Sequence, residues 1–146
     1  MSETDISIVL VEDNSSDAEL VMRAFKKHNL ANNLVILQDG AEALAYFLGE
    51  DNNRYSRMAL TKVILLDLKL PKVDGTEVLR RLKADERTKN IPVVVLTSSS
   101  EQRDLKECYE LGVNSYVTKP IKFTDFAKVI ADVGLYWLVV NKLPAQ

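Results

Sequence analysis

Histidine and cysteine are nearly missing from this chain: one of each, His28 and Cys108, occurs among 146 residues. A lone cysteine cannot close an intramolecular disulfide, and no Cys/His cluster exists to hold zinc. A reducing, cytoplasmic location is the expectation that follows. A basic excess is missing as well. Nineteen Lys and Arg against twenty-one Asp and Glu leave a formal charge of −2, so no positive field tracks a phosphate backbone and no nucleic-acid partner is expected. Nor is there a long apolar run. No run exceeds the six residues of Leu135 to Val140, against the roughly 20 that a membrane span needs. The first residues, Ser2-Glu3-Thr4-Asp5, are acidic where a signal peptide is basic. Neither membrane partner nor leader is expected. Repeats and low-complexity segments are also absent. What remains is 47% hydrophobic and 27% charged residues, the balance of one soluble globular domain with a full core.

Apolar residues come in two rhythms. Ile6 with Ile8 to Val11, Leu34 to Leu37, Val63 to Leu66 and Val93 to Leu96 are almost continuous runs, with a weaker fifth at Val113, Tyr116 and Val117. Continuous rather than alternating runs point to strands buried on both faces, as in a parallel sheet covered by helices. Between them the period becomes helical. Ala18, Val21, Met22 and Phe25 form one stripe, and Ala41, Leu44, Ala45 and Leu48 a second. Val78, Leu79 and Leu82 form a third, opened by Asp74 as N-cap with Glu77 three residues on. Ser99 before Gln102 predicts a similar start for the segment carrying Leu105, Cys108 and Leu111. Phe126, Ile130, Val133, Trp137 and Val140 mark a long last helix. Five alternations predict an α/β fold: a three-layer, doubly wound sandwich around a five-stranded parallel sheet. The polar, aperiodic stretch from Gly49 to Thr61 reads as a long surface connection.

Polar residues follow each apolar run: Glu12-Asp13 after the first, Asp67 after the third, Thr97 after the fourth and Lys119-Pro120 after the fifth. In an open parallel sheet the carboxyl ends of the strands share one edge, where ligands bind. Three carboxylates, a hydroxyl and an ammonium therefore converge from four segments. Clustered carboxylates repel one another unless a cation joins them. Oxygen ligands alone suit a hard divalent ion, and Mg²⁺ fits best. One carboxylate could then act as nucleophile towards a phosphoryl group, giving an acyl phosphate. Lys119 could neutralise that group's charge, and the Thr97 hydroxyl could hydrogen-bond one of its oxygens.

Val11-Glu12-Asp13, Leu65-Leu66-Asp67-Leu68 with Pro71 and Asp74-Gly75, Val95-Leu96-Thr97-Ser98 and Tyr116-Val117-Thr118-Lys119-Pro120 together resemble the receiver domains of two-component response regulators. Asp67 and Thr97 lie 30 residues apart, and Thr97 and Lys119 lie 22 apart, as is usual in that family. The 54 residues from Asp13 to Asp67 are more than usual, and the excess falls in the Gly49 to Thr61 connection. The resemblance implies a (βα)5 flavodoxin-like receiver fold over residues 1–146 as a single domain, with a core of about 6–132 and a C-terminal helical extension. It implies that Asp67 accepts a phosphoryl group from a sensor histidine kinase. Glu12, Asp13, Asp67 and the Lys69 backbone carbonyl would hold Mg²⁺, and Thr97 and Lys119 would grip the phosphate. Tyr116 would be the aromatic that turns inward as Thr97 moves, the Lys119-Pro120 bond would be cis, and Lys69 and Ser98 would control water access. Leu135-Tyr136-Trp137-Leu138 and Leu143-Pro144 further resemble the small regulators that serve phytochrome histidine kinases, which commonly dimerise through the last helix.

The expected function is thus a phosphorylation-dependent switch without an output domain, not an enzyme beyond Mg²⁺-dependent self-phosphorylation and autodephosphorylation. A phytochrome-type kinase, a downstream histidine phosphotransfer protein and a second copy of the chain are its expected partners. Phe123, Val129, Tyr136 and Val139 add apolar surface off the last helix's stripe, more than one face can bury, and Gly134 weakens the helix where an extension would leave the domain. Tyr116 could equally be a half-buried structural tyrosine. His28 reads as a surface residue near a helix end, and Cys108 as a small buried helix residue. The alternative function is a receiver-like module that binds its partner without phosphorylation. A haloacid-dehalogenase-type phosphatase would want an aspartate where Lys69 stands. A flavodoxin-like carrier would want a glycine-rich phosphate loop where Glu12-Asp13 stands.

Overall fold

The computed structural model describes residues 8–29, 34–49, 60–119 and 123–137. Strands and helices alternate as β1 (Ile8–Val11), α1 (Ser15–Lys27), β2 (Leu34–Leu37), α2 (Gly40–Leu48), β3 (Val63–Leu66), α3 (Gly75–Ala84), β4 (Val93–Thr97), α4 (Gln102–Glu110), β5 (Ser115–Thr118) and α5 (Phe123–Leu135). All five strands are parallel and lie in the order β2-β1-β3-β4-β5. The predicted α/β class, strand number and parallel sense match this sheet.

Side chains alternate across a strand, and here each side meets its own core. Val9, Val11, Ile64, Leu66, Val93 and Val95 face one way, against Phe47, Leu79 and Leu82 of α2 and α3. Ile8, Leu10, Val63, Leu65, Val94 and Leu96 face the other way, against Val21, Phe25 and Ile130 of α1 and α5. Two cores explain why these strands read as unbroken apolar runs. Helix starts are set locally: Asn14 and Asp39 accept from the backbone N–H three residues on, at 2.9 and 2.7 Å, and Asp74 accepts from Thr76 N–H at 3.3 Å.

Three local expectations need correction. The buried face of α2 is Gly40, Ala43, Leu44 and Phe47, with Ala45 exposed, rather than the Ala41-Leu44-Ala45-Leu48 stripe. That helix is apolar nearly all round, and burying the wholly apolar ring of Phe47 fixes its rotation. The residue flanking α4 is Glu101, with no side-chain cap; Ser99 instead accepts from Glu101 N–H at 3.3 Å and donates to Asp104 Oδ2 at 2.6 Å. Val113 is buried but precedes β5, its N–H returning to Cys108 O at 3.0 Å. In α5, Ile130 is buried and Val133 packs on the core, as does Trp137 just past the end of the helix. The Phe123 and Phe126 side chains, Ile6, Val139, Val140, residues 50–59 of the long connection and the Lys119-Pro120 bond lie outside what is described.

Candidate functional site

The connections run from β1 outward to β2 on one side and from β3 outward to β5 on the other, so strand order reverses between β1 and β3. Ligands of open α/β sheets bind outside the carboxyl ends of the strands at such a point. Val11, Leu37 and Leu66 are level in the sheet. The ladder also continues one residue past three strands. Glu12 N–H donates to Leu37 O at 2.9 Å, Asp67 N–H to Val11 O at 3.1 Å and Lys119 N–H to Thr97 O at 2.7 Å. Backbone pairing therefore fixes the start of each of these three side chains.

The structure brings the predicted residues together. Oxygens of Glu12, Asp13 and Asp67 lie within 4.8 Å of one another, with Glu12 and Asp67 buried and Asp13 exposed. Lys119 Nζ donates to Glu12 Oε1 at 2.7 Å and to Asp67 Oδ2 at 3.3 Å. Thr97 is fully buried, its hydroxyl oxygen accepting from Ser99 N–H at 3.3 Å. Lys69 comes to Asp67 through its N–H, 3.4 Å from Oδ1. Tyr116 is half-buried against the core and donates from its hydroxyl to Ser99 O at 2.8 Å. It is both a packed tyrosine and a tether on the loop after Thr97.

Gly75 is required beneath the site. Its N–H donates to Leu68 O at 2.9 Å, and a Cβ there would come 2.1 Å from the Asp67 carbonyl oxygen. His28 and Cys108 fall where expected, one exposed at the end of α1 and the other buried in α4. One residue was missed. Asp17, in the first turn of α1, accepts from Lys119 Nζ at 2.8 Å. Its signal was faint: an acid one turn into a helix that starts directly after Glu12-Asp13.

Burial sets the electrostatics. Removal from water, reinforced by the negative charge of Asp67, raises the Glu12 carboxyl to about 7, although hydrogen bonds from Lys119 and Asn14 oppose the rise. The Lys119 ammonium is held above its ordinary range: burial acts against the charge, and hydrogen bonds to Asp17 and Glu12 outweigh it. Three carboxylates facing one ammonium leave a negative excess, and the donors are all oxygen. That set suits a hard divalent cation of small size.

A doubly wound sheet carrying oxygen donors at its switch point defines a class of α/β proteins with a receiver-type fold. Residues 8–131 match the response regulator receiver domain, and the chain belongs to that family. It is 44% identical over 144 residues to a probable methanogenesis regulatory protein, FilR2, of Methanothrix harundinacea, covering 98% of this chain and 90% of the relative. Among solved structures it is similar to the phosphorylated cyanobacterial phytochrome response regulator RcpA, at 38% identity and a TM-score of 0.86 over 95% of this chain and 98% of that one. It is also similar to the Mn²⁺-bound form of the response regulator Rcp1, a protein of Synechocystis, at 41% identity and a TM-score of 0.84 over 95% and 99%. The chain is therefore related to phytochrome response regulators, and receiver domains of this kind are signalling proteins that bind a divalent metal.

Proposed function

We propose that this chain accepts a phosphoryl group on Asp67 from a sensor histidine kinase and signals through the change that follows. The observation that carries the reading is the setting of Asp67: buried at the end of β3, with carboxylate oxygens of Glu12 and Asp13 within 4.8 Å and the Lys119 ammonium at 3.3 Å. In the transfer, an Asp67 oxygen forms a bond to phosphorus as the bond to the kinase histidine nitrogen breaks, and that nitrogen keeps the electron pair. Glu12, Asp13, Asp67 and the Lys69 carbonyl would hold Mg²⁺, which supplies charge neutralisation for the transferring oxygens. Lys119 adds positive charge from the side of β5. Thr97, one strand over, offers its hydroxyl to a phosphoryl oxygen, and its engagement would pull on the loop that Tyr116 tethers.

Likeness to RcpA supports a phytochrome-type kinase as the donor. A histidine phosphotransfer protein would take the group onward, in a cytoplasmic setting. The unit acting is a single receiver with a core over about 6–132, and it associates with a second copy through α5 and its extension. Incubation with acetyl phosphate or with a phytochrome-type kinase and ATP, followed by intact mass measurement, tests the reading. One phosphoryl group should be gained, only with Mg²⁺ and not in Asp67→Asn. No gain from either donor would overturn it in favour of a module that binds without phosphorylation.

A further inference from the structure

An ammonium has three protons to donate, and on Lys119 three carboxylates take them. Glu12 Oε1 lies at 2.7 Å, Asp17 Oδ2 at 2.8 Å and Asp67 Oδ2 at 3.3 Å. The longest of the three is the one to Asp67. Asp17 differs from the other two in what a cation would do to it. It stands apart from the Glu12, Asp13 and Asp67 oxygens that converge within 4.8 Å, so a metal held by those three would satisfy Glu12 and leave the Asp17 hold on Lys119 in place.

A carboxylate in a first helical turn is favoured by the helix dipole, and the Asp17 N–H is itself capped by Asn14 Oδ1 at 2.9 Å. Those facts account for an acid at this position. They do not account for its side chain being turned inward onto a nearly buried ammonium at charge-assisted distance. A phosphoryl group on Asp67 would bring further acceptors to Lys119, and one carboxylate must then give up the hydrogen bond it accepts from the ammonium. Asp17 is the partner able to do so at least cost, because its side chain is 29% exposed against 2% for Glu12, and water can replace the ammonium there.

We propose that Asp17 is a positioning residue for Lys119, competing with the Asp67-bound phosphoryl group for the ammonium and so setting how tightly the site holds that group. The proposal rests on Asp67 being the phosphoryl acceptor. Removing the Asp17 charge frees a donor and also removes one negative charge facing the anion, and both effects act in the same direction.

Beryllofluoride, which mimics a phosphoryl group on a carboxylate without being transferred, is the probe. Its dissociation constant from the full chain at saturating Mg²⁺ is read by ¹⁹F NMR, with melting curves recorded in parallel. Asp17→Asn should bind it about three- to tenfold more tightly. Asp17→Glu, which restores the charge, should fall back towards the unaltered chain. Glu19→Gln, which removes a charge from the same helix without touching Lys119, should leave the constant unchanged. An Asp17→Asn protein that melts lower but binds the probe equally or more weakly has lost only a structural residue, and the proposal is overturned. So it is if Glu19→Gln tightens binding as much. Beryllofluoride binding that survives Asp67→Asn would instead sink the acceptor reading, and the two failures are told apart by which variant shows them.

Discussion

Most of the chemistry depends on single side chains placed by backbone pairing. Glu12, Asp67 and Lys119 each follow a ladder hydrogen bond, so their freedom is confined to side-chain torsions. Burial then makes them responsive. Glu12 is pushed up to about 7 because it is out of water beside the Asp67 charge, a penalty that a cation at the cluster would relieve. Cys108 is perturbed for a blander reason. Its thiol is fully buried in α4, and desolvation, with the charges of Asp104 and Glu107 added, pushes it up to about 11. The sign is that of an acid whose charged form is disfavoured in the folded protein. Folding holds the proton on, and ionisation opposes the native state only as pH rises from the ordinary thiol range towards 11. At pH 8 the thiolate fraction is then about one in a thousand, and inertness towards thiol reagents follows. Native protein at pH 8 should label at least about a hundredfold more slowly than protein unfolded in guanidinium, as a chromogenic disulfide reagent would report. Rapid labelling of the native chain would show that α4 opens readily or that the thiol is not sealed in.

At the scale of elements, glycine positions carry constraints that composition hides. Gly75 opens α3, and a Cβ there would sit 2.1 Å from Asp67 O and 2.6 Å from Leu68 Cα. Helix propensity alone would favour alanine by about 1 kcal/mol. The clash is with backbone, which cannot rotate away, so strain should exceed that gain. Gly75→Ala should lose about 2–4 kcal/mol in urea unfolding and slow phosphoryl uptake, because the displaced carbonyl belongs to Asp67. A variant as stable as the parent would mean that the start of α3 shifts freely. Lys83 does comparable service at the far end of the same helix. Its ammonium donates to Lys89 O at 3.1 Å, Ile91 O at 2.9 Å and Asn114 Oδ1 at 3.1 Å, joining α3 to the approach of β4 and β5. Asn114 Oδ1 also accepts from Val93 N–H at 2.8 Å.

Across the whole molecule, legibility in the sequence followed how local each cause is. β1, β3 and β4 were readable because both of their faces are buried, which writes a continuous apolar run into each, whereas β5, Ser115–Thr118 at the sheet edge, is only partly buried and its run is weak. The α3 stripe was readable because Val78, Leu79 and Leu82 are all buried on one face. The face of α2 was not, since its rotation is decided by where Phe47 finds space rather than by its own period. Asp17 stayed hidden because its partner Lys119 lies 102 residues away, and only the fold brings them together. The same reasoning bears on self-association. The inward face of α5 is satisfied, with Ile130 and Ala131 buried and Ala127 and Val133 packed on the core, joined by Trp137 just past the helix end. Outward, Tyr136 is 47% exposed and lies edge-on to Trp137 with ring centroids 5.2 Å apart. Tyr136 and Tyr109 are the large exposed hydrophobic side chains among the described residues. An aromatic of that size, anchored at one edge by a packed indole, is the kind of side chain that carries interface energy. Sedimentation velocity across a micromolar concentration series should show a monomer–dimer equilibrium. Tyr136→Lys should weaken it about tenfold or more, since a charge would then enter a desolvated contact, while leaving the melting temperature of the monomer nearly unchanged. A single monomeric species at every concentration, or a dimer indifferent to Tyr136→Lys, would remove α5 as the contact.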